Sequence, residues 1–125
     1  MPAKPVDPRS FLPLTPLAFQ VLLALADGGR HGYAIIREVE ERTDGLITLR
    51  TGSLYTMLQR LLSERLIEDA PAAVARRAMA EDGKDDPRRR YYVLTALGRD
   101  VVAAEARRLE AVLGEARRKH VFKST

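Results

Sequence analysis

Residues 16–26 (PLAFQVLLALA) carry one clearly polar side chain, Gln20, and this run constrains the fold more than any other. As a helix it shows Leu17, Ala18, Phe19, Val21, Leu22, Leu23, Leu25 and Ala26 over nearly its whole circumference. A helix that is apolar all round must be buried on more than one side. At 125 residues the chain has length for one domain with a modest core, plus an appendage. The second side is most economically covered by another copy of the chain, and Leu17, Phe19 and Leu23 are the residues expected there. Thr15-Pro16 predicts the helix start, threonine capping free N–H groups and proline being pre-set for the first helical position. Gly28-Gly29 predicts its stop, after about Asp27.

A second run, residues 49–66 (LRTGSLYTMLQRLLSERL), reads as an amphipathic helix. Leu54, Met57, Leu58, Leu61 and Leu62 fall on one side at helical spacing. Gly52, Ser53, Thr56, Gln59, Arg60 and Ser63 fall on the other, with Tyr55 on the border. A structural surface helix more often carries Glu and Lys pairs. This small, hydroxylic and singly basic face suits a helix that slides into a DNA groove and offers donors and acceptors to bases and phosphates. Thr51 is expected as its N-cap, and Gly52 keeps the first turn slim enough for close approach to a backbone.

The rest of the chain arranges itself around these two runs. Residues 1–13 hold Pro2, Pro5 and Pro8 among polar neighbours and predict a mobile or extended arm. Residues 30–33 (RHGY) open a second helix with Ile35, Ile36 and Val39 inward, ending at Thr43-Asp44-Gly45; His31 is read as a helix-start residue. Residues 46–49 (LITL) have the β-branched content of a short strand. Residues 67–69 and 89–94 read as an antiparallel pair, and one of Tyr91 and Tyr92 should be core and the other outward. Between them, the alanines of residues 71–79 favour helix where a plain hairpin would need strand. A last helix starts at Thr95 and runs without proline to Lys119, a rod of roughly 37 Å. Leu97, Val101 and Ala104 make an early stripe for packing on the domain. Val102, Ala106, Leu109, Val112, Leu113 and Ala116 make a second stripe for a partner chain. Residues 120–125 should be a flexible tail, with His120 solvated.

Composition narrows the function classes. Twenty-one Lys and Arg against 17 Asp and Glu give a net charge of +4, which permits a polyanionic partner without demanding one. Without cysteine there is no disulfide, thiol switch or Cys-ligated metal. Two distant histidines, no glycine-rich phosphate loop and no metal-spaced carboxylates leave nothing from which to assemble a catalytic or metal site, so no enzyme and no cofactor is expected. The start lacks a signal peptide's apolar region, and the longest apolar run, residues 21–26, is too short to cross a bilayer. The expectation is a cytoplasmic protein with no membrane association.

Helix, helix, short strand, helix, hairpin, long helix is the order of a mainly α (α+β) winged helix-turn-helix domain, residues 14–94, followed by a C-terminal dimerisation helix, residues 95–119. Leu14-Thr15-Pro16, His31-Gly32-Tyr33, Thr51-Gly52-Ser53-Leu54-Tyr55, Leu66-Ile67-Glu68 and residues 89–98 (RRYYVLTALG), in that order and spacing, resemble the PadR family of bacterial transcriptional regulators, in its compact branch with a single C-terminal helix. The resemblance implies a homodimer, usually a repressor, with the third helix in the major groove of an inverted-repeat operator, often with ATGT and ACAT half-sites. It also implies a last helix crossing the first helix of the other subunit, and in some members release by a phenolic or flat hydrophobic effector between subunits. On that basis Ser53, Tyr55, Thr56 and Gln59, with Thr51 and Gly52, are assigned to DNA, and Arg50 and Arg60 to phosphates. Glu81, Asp82, Asp85 and Asp86 around Lys84 would repel phosphate at a wing tip, so wing contact is assigned to Arg88, Arg89 and Arg90, with Arg76 and Arg77. The chain has no tryptophan for the ligand stacking of the multidrug-binding members. The alternative is a winged-helix protein-interaction module that binds no duplex.

Overall fold

The first helix begins where its sequence placed it. In a computed structural model that describes residues 5–83 and 89–123, the Thr15 hydroxyl accepts from the Ala18 amide at 3.1 Å and caps α1, Pro16–Ala24. The helix ends short of Asp27, because the Leu25 and Ala26 amides turn back to the Leu22 and Leu23 carbonyls. Ala18, Val21, Leu22, Ala24 and Leu25 are buried, whereas Leu17, Phe19 and Leu23 are only partly covered.

Residues 30–31 form a two-residue strand, β1, Arg30–His31, and the His31 ring then caps α2, Gly32–Arg42, by accepting from the Ala34 amide at 3.2 Å. Ile35 and Val39 face the core. Residues 46–49 do not form the expected strand. Asp44 and Gly45 both adopt left-handed backbone, at φ 54° and 78°, and the Thr43 hydroxyl takes the Ile47 amide at 3.1 Å. That side-chain bond claims a backbone group a strand would need, and the sheet draws its third strand from β1 instead.

Helix α3, Thr51–Ser63, packs Leu54, Leu58 and Leu61 inward. Its N-cap is Arg50 with no side-chain cap bond, so Thr51 is the first helical residue rather than the cap. Arg65, at φ 60°, reverses the chain into β2, Ile67–Asp69. β2 pairs antiparallel with β3, Tyr91–Leu94, in the register Ile67 to Leu94 and Asp69 to Tyr92, while β1 pairs with the other edge of β3.

The span between β2 and β3 contains α4, Ala72–Asp82, which ends on Gly83 in left-handed conformation. The helical preference of its alanines prevails over a plain hairpin. Gly29 permits the close packing of α4: a Cβ there would lie 3.0 Å from Val74 and 3.5 Å from Val93. Consequently Tyr91 and Tyr92 are both buried, at 3% and 2% exposure. The expectation of one outward tyrosine fails because the sheet is covered on both faces. Lys84, Asp85, Asp86, Pro87 and Arg88 lie outside the described residues.

Helix α5, Ala96–Arg118, is capped by Thr95, whose hydroxyl accepts from the Gly98 amide at 2.9 Å and donates to the Arg65 carbonyl at 2.6 Å. Residues 8–13, expected as part of an arm, behave otherwise. Pro8–Phe11 is a 3-10 turn capped by Asp7 and seated against α5, and Phe11, Leu12 and Leu14 pack on the core. The Leu14 amide donates to Glu105 Oε2 at 2.6 Å, and Arg108 holds the other oxygen of this 1%-exposed carboxylate. Val102, assigned to the outer stripe, is buried in the protomer's own core.

Candidate nucleic-acid interface

The outward side of α3 is open along its length. Arg50, Thr51, Gly52, Ser53, Tyr55, Thr56, Gln59 and Arg60 are all exposed, over a back face pinned by three fully buried leucines. The rigid back matters because base readout requires side chains held in fixed register. Thr56 donates to the Gly52 carbonyl at 3.0 Å, so its oxygen remains available as an acceptor. Arg60 reaches Glu64 at 3.1 Å along the helix, an exposed pair that a phosphate can displace at small cost. Gly32, at the start of α2, lets the two helices approach: a Cβ there would meet Leu54 at 3.2 Å and the Tyr55 hydroxyl at 3.5 Å.

Beside α3 the chain enters β3 through Arg89 and Arg90. Arg90 grips Asp69 with two parallel hydrogen bonds, 2.8 and 3.0 Å, and its guanidinium lies 5.2 Å from the Tyr92 ring centroid. The Arg90 hydrogen bonds hold the Asp69 carboxyl below the usual carboxylate range. Arg89 approaches His31 Nε2 at 3.3 Å, and the same nitrogen faces Asp82 Oδ2 at 3.3 Å. Since Nδ1 accepts the helix-capping bond, Nε2 carries the proton of the neutral ring. Tyr91 adds a hydroxyl bond to Asp82 at 3.2 Å and stands edge-on to His31, with burial pushing the phenol's pKa up. Asp82, read from sequence as a phosphate-repelling tip, is instead an internal tie between α4 and the start of α2.

The structure gathers Tyr55, Arg89 and Arg90 around one groove, together with Tyr33, which the sequence had offered only as part of a helix start. It does not bring Arg76 and Arg77 there. Both are exposed on α4, and Arg77 lines a separate cleft with Asp27, Arg30 and Glu81. Residues 72–82 are helical, as the alanines favour, so these two arginines lie on α4 and not on a strand of the wing. The Asp69 tie was legible only as opposite charges on two predicted paired strands. Among the described residues no group of His, Cys, Asp or Glu could hold a metal ion, and no helix is long and apolar enough to cross a membrane.

The family model of the transcriptional regulator PadR-like family matches residues 21–104, which includes α2, α3, both paired strands and the first third of α5. The chain belongs to the PadR family. Its helix-turn-helix is α2 and α3, its wing is β2 and β3, and α5 is the family's long C-terminal helix. Two curated relatives are an uncharacterised protein of Lysinibacillus sphaericus, 30% identical over 63% of this chain, and an uncharacterised 37.1 kDa transposon protein of Streptomyces fradiae, 36% identical over 75%. The matches span 64% and 23% of those proteins' own lengths. Among solved structures, RosR of H. salinarum is 28% identical with a TM-score of 0.59 and 89% of each chain covered. A PadR family regulator of Clostridium difficile shares the fold at 23% identity, with a TM-score of 0.64 and 83% and 97% covered. A PadR-like regulator of Bacillus cereus does so at 19% identity and 0.62, with 86% and 93% covered. The family is one of transcriptional regulators.

Proposed function

We propose that this PadR protein is a repressor that binds an inverted-repeat operator as a homodimer, with α3 of each protomer in a major groove. The observation that carries the reading is the exposed, carboxylate-free face of α3 from Arg50 to Arg60 on a rigid leucine backing. The dimer is supported by what α5 leaves uncovered: beyond Glu105, Val112 and Leu113 are 55% and 44% exposed, in line with Ala106, Leu109 and Ala116. Exposed apolar rows of this kind mark association surfaces, and the half-covered Leu17, Phe19 and Leu23 of α1 are the complementary strip on the partner. A small hydrophobic or phenolic effector wedged between the subunits would change the spacing of the two α3 helices against the groove repeat and so release the operator.

Salt tests the reading. If each protomer neutralises three or four phosphates, log affinity for duplex falls against log salt with a slope of about −5 to −7 for the dimer. A chain that retains no duplex at low salt would refute DNA binding and favour a protein-interaction module.

A further inference from the structure

We propose that the groove between α2, α3 and the start of β3 seats one phosphodiester of the DNA backbone, and that the Tyr33 hydroxyl is a contact to it. The inference rests on the reading of α3 as the helix that enters the major groove, and it adds a residue and a place to that reading.

The groove has a volume of about 350 Å³, and Tyr33, Tyr55, Arg89 and Arg90 are among its lining residues. Tyr33 is 62% exposed and Tyr55 49%, an unusual outlay of aromatic surface for two side chains on neighbouring helices. Gly32 lets the Tyr55 hydroxyl lie against the first turn of α2, next in sequence to Tyr33. Among the described residues no carboxylate lines this groove, whereas the cleft beside α4 carries Asp27 and Glu81 among its arginines. Two acids touch lining residues: Asp69 engages Arg90 through Nε and Nη2, and Asp82 faces His31 Nε2. A guanidinium has five N–H donors, so Arg90 keeps others for an anion while Asp69 holds its plane in place. Hydroxyls and guanidinium groups around an open groove are the donors that fix a duplex backbone in register. Tyr55 belongs both to this groove and to the exposed face of α3, so a strand whose bases meet α3 runs its phosphates past Tyr33.

The test uses the full chain and a labelled duplex enriched by the wild-type protein from a random-sequence pool. Tyr33→Phe should weaken binding about three- to tenfold per protomer, the worth of one lost hydrogen bond. The salt slope should stay unchanged, because a neutral hydroxyl displaces no counterion. Arg89→Gln should lower the slope by about 0.9 per protomer. Wild-type affinity in both Tyr33→Phe and Tyr33→Ala would overturn the groove assignment while leaving the role of α3 intact. Failure of the wild-type chain to enrich or retain any duplex would overturn both.

Discussion

At the scale of single residues, two glycines of α5 illustrate how little a residue type says without its surroundings. A Cβ on Gly98 would lie 1.9 Å from the Leu66 carbonyl oxygen, a backbone atom that cannot swing away, while a Cβ on Gly114 meets nothing within 4 Å. Gly98→Ala should therefore destabilise the protein by about 3 kcal/mol through overpacking. Gly114→Ala should stabilise it by up to about 1 kcal/mol through helix propensity, both measured by chemical denaturation. Glu105 gives a pH prediction. Hydrogen bonds from Arg108 first, and from the Leu14 amide, outweigh burial and hold its carboxyl below the ordinary value of 4.5. A folded-state pKa lowered in this way adds stability above the unfolded value, and that stability is lost as pH falls through the folded one. At pH 7, Glu105→Gln should melt below the wild type, and the gap should close as the pH falls from 4.5 through the lowered folded-state value; thermal midpoints at neutral and at acid pH check this.

At the scale of elements, α4 is what sets this wing apart from a plain hairpin. It covers the face of β3 that carries Tyr91 and Val93 and ties its last residue, Asp82, to the cap of α2. Ala78 is the one buried residue of that helix. Ala78→Asp places a carboxylate where it has little water, costing about 2 kcal/mol locally, or roughly 30-fold in the opening of α4. Trypsin cleavage at the exposed Arg76 and Arg77 should accelerate by that factor while α3 stays folded; an unchanged rate would mean that α4 is not held by this contact.

At the scale of the whole molecule, the proposed dimer and DNA binding are one coupled property. Leu109→Glu and Leu113→Glu should each give a monomer by sedimentation equilibrium and lose operator affinity together, whereas a monomer that binds tightly would break the coupling. Much of this architecture was legible in the chain. Thr15, His31 and Thr95 announced three helix starts, and helical spacing put Leu54, Leu58 and Leu61 inside. The outer face of α3 was likewise plain, because i, i+3 and i+4 periodicity assigns sides before any partner is known. Strands of two to four residues carry no such periodicity, so β1 was missed and residues 46–49 were misread. Local pattern by itself determined the main helices and, apart from Thr51 and Val102, their N-caps and inner faces, which depend on neighbours a few positions away. Only the tertiary structure decided that Tyr91 and Tyr92 are both buried, that residues 8–14 dock on α5 through Glu105, and that Tyr33, Tyr55, Arg89 and Arg90 share a groove. Those outcomes depend on which distant segment covers a given face, and the spacing of residues along the chain holds no record of that.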